Sequence, residues 1–277
     1  MVFHICMEQL PQSSRIAARW LLLASLLWGT SFFAMKAGLD ATARHAGETA
    51  APLVFLFLRF GVAALLFPLL FPAALKGLTR GAVRDGLLLA LPFHAGFLLQ
   101  VFGLARMPSS VAAFLTSLTV VLTPVLGRTF FRERPTTGTW IGAMLAFGGI
   151  AVISGAGRGG FGTGELLTTL GAVAFTAHLL LTGPITRRHA PEPLTWMLFV
   201  SGMAIDGVAV AALRVPPSVL GASLTDPVLL GSVLFTAVFC SMAANTIVNR
   251  HQKSLSSTEA GVIYALEPLF AALIAAA

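Results

Sequence analysis

Ionisable side chains inside apolar stretches are the strongest chemical signal in this sequence. Glu267 lies midway along the last apolar run, beside Pro268, whose ring removes the helical hydrogen bond to the carbonyl of Tyr264. A carboxylate beside a free carbonyl is a candidate site for a cation or a proton, since acids in such segments are functional by default. Hydrogen bonding to a neighbouring helix is the structural alternative for Glu267.

Two histidines and one arginine are also embedded in apolar runs. His94 and His178 are candidates for proton relay or substrate contact, although a histidine among packed helices more often bonds to a neighbouring helix. Arg59 lies deep in its run, where it is expected to pair with Glu267 or Asp206 or to attract a substrate carboxylate. A structural ion pair is the alternative for Arg59.

Aromatic, hydroxyl and amide side chains add further candidates for substrate contact. The rings of Trp28 and Tyr264 are suited to stacking on a small molecule or bounding it. Thr116 recurs with Thr119 on one helix face, and Asn245 lies in another apolar run. Close helix packing is the alternative explanation for the threonines.

The composition fixes the class of protein that must position these residues. Of 277 residues, 56% are hydrophobic and 10% are charged, and the mean hydropathy is +0.86. A soluble domain carries about 25% charged residues, so a soluble globule is excluded, as are a disordered chain and a disulfide scaffold. The net charge of +7 is scattered, which argues against nucleic acid as a partner. No spaced set of metal ligands is present, and we expect no metal or other cofactor.

Nine apolar runs are long enough to cross a membrane as helices, which need about 20 residues each. The sequence therefore predicts an all-α integral membrane protein. The predicted spans are Trp20–Gly38, Ala51–Ala74, Gly86–Ala105, Ser110–Phe131, Gly138–Ala156, Glu165–Ile185, Leu194–Leu213, Pro227–Asn249 and Ser257–Ala277.

The basic residues between the spans predict the orientation. One side of the membrane receives 11 Lys and Arg residues and the other side receives 5. Since cytoplasmic loops keep the excess of positive charge, the N-terminus is expected in the cytoplasm.

An internal repeat is visible when the chain is compared with itself. At an offset of 147 residues, the segment 108–113 lies over 255–260, and both segments open a span after a short basic loop. The repeat predicts two units of five helices, residues 19–156 and 165–277, with the last helix of the second unit missing from this chain. Five is odd, so the second unit is expected to enter the membrane from the opposite face, as an inverted repeat.

Several short motifs in order resemble one known family. They are Trp28-Gly29-Thr30-Ser31-Phe32, Arg59-Phe60, Ala113-Phe114-Leu115-Thr116-Ser117-Leu118, Phe131-Arg132-Glu133-Arg134 and Tyr264-Ala265-Leu266-Glu267-Pro268. Together they resemble the EamA branch of the drug/metabolite transporter superfamily. The resemblance implies a ten-helix, multi-pass carrier of the bacterial inner membrane that exports small metabolites such as amino acids.

These observations favour a secondary transporter that works by alternating access, with protons coupled through Glu267. Its partners are expected to be a small-molecule metabolite, membrane lipids and protons. No ATP-binding loop is present, which disfavours a pump. Two alternatives stay open: a passive facilitator of the same fold, and an integral-membrane enzyme acting on lipid or isoprenoid substrates.

Overall fold

The computed structural model describes residues 12–130, 135, 137–154 and 162–275, and these are almost entirely helical. No strand occurs in these ranges. Six helical segments in these ranges are long and apolar enough to cross a membrane: Gln12–Leu70, which is a merged pair, Arg80–Leu104, Ser109–Phe130, Thr163–Thr186, Pro191–Ala212 and Pro227–Ser254. The prediction of an all-α membrane protein is confirmed.

Thirteen helices are numbered here in chain order over the described residues. They are α1 Gln12–Leu70, α2 Ala73–Lys76, α3 Arg80–Leu104, α4 Ser109–Thr116, α5 Thr119–Phe130, α6 Thr137–Ser154, α7 Thr163–Thr186, α8 Pro191–Ala212, α9 Pro217–Thr225, α10 Pro227–Phe235, α11 Ala244–His251, α12 Ser257–Tyr264 and α13 Glu267–Ala275. Each of the nine predicted spans falls on one or more of these helices.

Helix α1 contains the first two predicted spans, joined at Gly47. The φ angle of Gly47 is 75°, a left-handed value that glycine adopts without a steric penalty. The arms 12–46 and 48–70 flank this bend. The second span was expected to reach Ala74, which is wrong, because the helix ends at Leu70. Pro72 disfavours helical geometry at the preceding Phe71 and thereby separates α1 from α2.

Two predicted spans are each divided into two helices. The fourth span breaks between α4 and α5 at Ser117 and Leu118, and the ninth breaks between α12 and α13 at Ala265 and Leu266. Pro268 is the second residue of α13. The N–H groups of a helix's first turn have no acceptor within the helix, so the missing N–H of proline costs no helical hydrogen bond here. A helix break within a membrane leaves backbone groups without their helical partners. Such groups are tolerated only where they are buried in protein or line a cavity.

The helical segment that carries the eighth predicted span runs continuously from Pro227 to Ser254, and its middle has the wider turns of a π-helix. Residues Thr236–Ala243 form π-helical turns between α10 and α11. Such turns are rare and recur at functional sites. They place Cys240 and Ser241 against α1, as the contacts described below show.

The helices pack as one bundle in which members of the two predicted units alternate. Helix α3 packs on α7 and α8, while α1 packs on α8 and on the segment from α10 to α11. A core of aromatic rings surrounds Phe60, which contacts Phe93, Phe97 and Phe199. At the start of α12, Ser256 and Glu259 form a capping box.

Candidate functional site

The described helices enclose a cavity of about 80 Å³. Six of the eight predicted site residues line it: Trp28, Thr116, His178, Asn245, Tyr264 and Glu267. Their helices are α1, α4, α7, α11, α12 and α13, so the two predicted units both contribute. Arg59 and His94 are not among the lining residues.

The two helix breaks meet at this cavity. Thr116 is the last residue of α4 and Thr119 the first of α5, while Tyr264 ends α12 and Glu267 begins α13. All four side chains line the cavity. Thr116 and Tyr264 are 148 residues apart, as are Thr119 and Glu267. These spacings are one residue longer than the offset of 147 residues in the predicted repeat.

Hydrogen bonds hold the polar side chains of the cavity in place. Gln100 donates from Nε2 to Thr116 Oγ1 at 3.0 Å. Tyr264 donates its hydroxyl to Gln252 Oε1 at 3.1 Å, and Gln252 donates from Nε2 to the carbonyl of Leu179 at 2.8 Å. These bonds fix the rotamers of the side chains that a bound molecule would touch.

His178 presents one ring nitrogen as an acceptor. Its Nδ1 lies 3.1 Å from the carbonyl oxygen of Leu89. Because a carbonyl only accepts, Nδ1 carries the proton of the neutral ring, and Nε2 keeps a lone pair. Thr182 Oγ1 is 3.4 Å from Nε2, a long contact that leaves this nitrogen able to accept from another donor.

The π-helical segment anchors two cavity residues. Trp28 donates from Nε1 to the carbonyl of Cys240 at 3.0 Å, and its ring packs edge-on against Tyr264 with centroids 5.2 Å apart. Asn245 donates from Nδ2 to the carbonyl of Ser241 at 2.9 Å. The widened turn thus supplies backbone acceptors that orient Trp28 and Asn245.

Gly29 lets α1 approach the helix break that carries Glu267. An ideal Cβ at position 29 would lie 2.7 Å from the carbonyl oxygen of Glu267 and 2.8 Å from Cβ of Phe270. Neither distance is possible for a real side chain, so α13 can take its position only because residue 29 is glycine. Small residues have this role wherever membrane helices pack closely.

Arg59 is fully buried, and the expected ion pair with Glu267 or Asp206 is wrong for the described residues. Its Nε donates to Ser241 Oγ at 2.8 Å, and its guanidinium carbon lies 4.6 Å from the ring centroid of Phe97. Its Nη2 has no hydrogen-bond partner in the described part of the chain. Phe97 lines the cavity, so Arg59 stands behind the cavity wall.

His94 also lies behind the wall, and its partner is Asp206. Nε2 of His94 is 3.0 Å from Oδ1 of Asp206, and both side chains are buried. The expectation of an interhelical hydrogen bond is thus confirmed, between α3 and α8. Asp206 was considered only as a partner for Arg59; its own position inside an apolar run was the signal that marks it as a buried acid.

The sequence interpretation missed several lining residues. They are Ser31, Phe93, Phe97, Gln100, Phe175, Leu179, Val248 and Gln252. Gln100 and Gln252 carried a usable signal, an uncharged polar group near or inside an apolar run. The apolar members carried none, because Phe, Leu and Val are common on every face of a membrane helix.

Two further observations concern predicted features. The motif Phe131-Arg132-Glu133-Arg134 lies outside the described residues. Within the ranges that are described, no group of three or more His, Cys, Asp or Glu side chains is arranged to hold a metal ion.

Comparisons with known proteins agree with this architecture. The sequence model of the EamA-like transporter family matches residues 15–155. A protein of Archaeoglobus fulgidus named "uncharacterized transporter" is 30% identical over 261 residues, which cover 93% of this chain and 76% of that protein. A solved crystal structure, described only as that of a protein, has a TM-score of 0.66 at 18% identity and covers 93% of this chain and 86% of its own. At that identity it supports the fold alone.

Proposed function

Because the chain belongs to the EamA-like transporter family, we propose that this multi-pass membrane transporter is a secondary carrier that exports small metabolites such as amino acids. The carrier works by alternating access, in which the two predicted units rock about the cavity. The observation that carries the proposal is the cavity itself, lined at the two helix breaks by residues of both predicted units. Discontinuous helices at corresponding positions are typical of carrier binding sites.

The packing of the helices supports an inverted repeat of residues 19–156 and 165–277. Helix α3 of the first unit packs on α7, the first helix of the second unit. In return, the segment from α10 to α11 in the second unit packs on the first arm of α1. A twofold relation between the units predicts this reciprocity. Two similar units in opposite orientations can exchange conformations, which opens the cavity to each side in turn.

The chemistry of the cavity suits a small amphipathic metabolite. The rings of Trp28, Phe93, Phe97 and Phe175 supply apolar walls, and Glu267 supplies an acid. Gln100, Thr116, His178 and Asn245 add neutral donors and acceptors. Apolar walls with a few placed polar groups are the usual composition of a small-molecule site. An amino acid with an apolar side chain matches this set, with its ammonium group toward Glu267.

Flux into liposomes tests the function. Purified protein is reconstituted, and a panel of radiolabelled amino acids is followed with and without an imposed pH gradient. Accumulation driven by the gradient supports the coupled carrier. Downhill flux that ignores the gradient indicates a facilitator, and turnover of a lipid or isoprenoid without flux indicates an enzyme.

Proton coupling is assigned to Glu267. The substitution Glu267→Gln keeps the shape of the side chain but removes its exchangeable proton, so uphill transport is expected to fall at least tenfold while downhill exchange persists. Glu259→Gln is the matched control, because Glu259 lies at the exposed start of α12 and its role as a cap is local. Equal uphill transport by the wild type and Glu267→Gln would remove Glu267 as the coupling site.

The proposed location is the bacterial inner membrane with the N-terminus in the cytoplasm. Single cysteines at positions 165 and 187 test the orientation, using a reagent that cannot cross the membrane. Position 165 is expected to react from outside and position 187 only after permeabilisation. If position 165 instead reacts from the same side as position 20, the inverted repeat is wrong.

A further inference from the structure

A buried acid–base pair lies apart from the cavity lining. His94 Nε2 and Asp206 Oδ1 are 3.0 Å apart, and their side chains are 2% and 0% exposed. His94 belongs to α3 of the first predicted unit, and Asp206 to α8 of the second. Motion of one unit against the other would change this contact directly.

Each member of the pair has one polar atom without a hydrogen bond. Nδ1 of His94 and Oδ2 of Asp206 contact no donor or acceptor among the residues that the structure describes. The site is also tightly closed, since an ideal Cβ at Gly202 would lie 3.0 Å from Nδ1 of His94 and 2.9 Å from Phe60. The pair is therefore protected from water in this conformation, with two free positions for a proton.

In the described ranges, the titratable groups on the surrounding helices form no ion pair with His94 or Asp206, so no direct contact balances the charge of the pair. In the described ranges these groups are Arg15, Arg19, Lys36, Asp40, Arg44, His45, Glu48 and Arg59 on α1, Lys76 on α2, Arg80, Arg84 and Asp85 at the start of α3, Glu165 and His178 on α7, Glu192 at the start of α8, and Arg250 and His251 on α11. Arg59 and His94 both contact the ring of Phe60. The guanidinium carbon of Arg59 is 5.6 Å from the centroid of Phe60, and the centroid of the His94 ring is 5.3 Å from it. Arg59 bonds to Ser241 instead of Asp206.

The net charge of the possible protonation states then favours one bound proton on the pair. A neutral His94 with an ionised Asp206 carries one negative charge away from water. One added proton gives either a neutral acid with a neutral imidazole or a carboxylate with an imidazolium, and both have zero net charge. Low-dielectric surroundings disfavour a net charge, so the closed pair retains the proton. The positive charge of Arg59, whose guanidinium carbon is 5.6 Å from the centroid of Phe60, opposes an imidazolium and favours the neutral acid with the neutral imidazole.

We propose that His94 and Asp206 form a proton-binding site separate from the cavity, which holds one proton while α3 and α8 are packed together and releases it to water when they separate. The proposal rests on the alternating access described under the proposed function. Helix α3 also brings Phe93, Phe97 and Gln100 to the cavity. Its movement therefore links proton release to the state of the cavity, and linkage of this kind is reciprocal.

Infrared difference spectroscopy tests the site with the proton as the only ligand. The purified full-length chain in lipid vesicles is taken from about pH 4 to about pH 9, a range that spans the reference pKa values of carboxyl and imidazole groups. We expect a pH-dependent carboxyl or imidazole band that disappears in Asp206→Asn. In His94→Gln the midpoint of the carboxyl band is expected to move by at least about one pH unit, a tenfold change in proton affinity.

Controls separate this site from Glu267 and from misfolding. Glu267→Gln should leave the band in place, and a ¹³C label on the aspartate carboxyl groups should shift a carboxyl band in the wild type even if Asp206→Asn does not fold. The proposal is overturned if no pH-dependent band responds to Asp206→Asn or His94→Gln. It is also overturned if the aspartate label does not move the carboxyl band and no imidazole band changes with pH. Because no substrate is present, failure of the flux assay leaves this result intact.

Discussion

Arg59 and Asp206 are 147 residues apart and form corresponding contacts in the two halves of the bundle. Arg59, on the second arm of α1, bonds to Ser241 of the π-helical segment. Asp206, on α8, bonds to His94 of α3. Ser241 and His94 are also 147 residues apart. One interhelical contact thus recurs at a spacing of 147 residues, with a basic residue at the first position and an acidic residue at the second.

The first prediction concerns the free charge of Arg59. We expect Arg59→Met to reduce flux of a carboxylate-bearing substrate at least tenfold, because Nη2 is the one unpaired guanidinium nitrogen behind Phe97 in the described structure. Thermal stability should be unchanged or higher, since a buried charge costs about 2.5–3.5 kcal/mol on insertion scales.

Arg59→Lys separates charge from geometry in that experiment. Lysine keeps the positive charge but lacks the Nε donor that bonds Ser241. Partial flux is expected for Arg59→Lys and very little for Arg59→Met. Wild-type flux in Arg59→Met would show that the charge of Arg59 behind the cavity wall does not act on the substrate, and would leave Arg59 a packing role.

The second prediction concerns the approach of α1 to Glu267. Gly29→Ala forces a methyl group against the carbonyl of Glu267, and overpacking of this kind costs about 1–3 kcal/mol. Lower thermal stability in detergent and lower flux are expected together. Gly183→Ala is the matched control, because no neighbouring atom lies within 4 Å of its ideal Cβ. Equal melting of the two variants would contradict the close approach.

The third prediction is a pH dependence at Asp226, which caps α10. The hydrogen bond from Arg44 Nη2 at 2.8 Å, followed by that from the backbone N–H of Leu229, holds the pKa of Asp226 well below its usual value. A lowered folded pKa means that the carboxylate stabilises the fold above the unfolded pKa of about 3.9 and loses this effect as pH falls further.

Thermal melting of wild type and Asp226→Asn measures this effect. The wild type should melt at the higher temperature at pH 7, and the difference should shrink as the pH is lowered below about 4. Asp40→Asn is the control, because Asp40 is 60% exposed and, among the residues that the structure describes, forms its ion pair with Lys36 four residues earlier on its own helix. A constant difference between wild type and Asp226→Asn from pH 7 to pH 3 would show that ionisation of Asp226 is irrelevant.

Much of the fold and part of the site followed from the sequence, for physical reasons. Apolar length alone predicted nine spans, each of which falls on one or more described helices, since every backbone group in lipid must be paired within a helix. The intramembrane rule found Glu267 and His178 because a polar group in hydrocarbon needs a cavity or a partner. It could not assign partners: His94 and Asp206 are 112 residues apart and meet only through the packing of α3 on α8.

The break in the fourth span was equally invisible. Pro124 lies inside α5, several residues after the break, so proline does not mark it. The Ser117 hydroxyl donates to the carbonyl of Phe114 and offers the backbone an alternative to the helical bond. Serine does the same at many sites where helices continue, which is why the residue type carried no prediction.

Matched clusters of charge stand at the two ends of the bundle. Asp226 binds Arg44 and His45 beside the bend of α1. Asp85, near the start of α3, binds His189 at 3.0 Å and lies 3.8 Å from Arg188. The pairs Arg44-His45 and Arg188-His189 are 144 residues apart, three fewer than the offset of the predicted repeat. Each cluster joins one predicted unit to the other at one face.

The fourth prediction follows from this arrangement. If each cluster holds one face closed, Asp226→Asn should favour the conformation open to the outside, and Asp85→Asn the conformation open to the cytoplasm. A cysteine at position 31, on the cavity wall, reports this balance through its reaction with an impermeant maleimide added outside. Labelling should rise in Asp226→Asn and fall in Asp85→Asn. Changes of the same sign in both variants would mean that the clusters stabilise the fold without gating it.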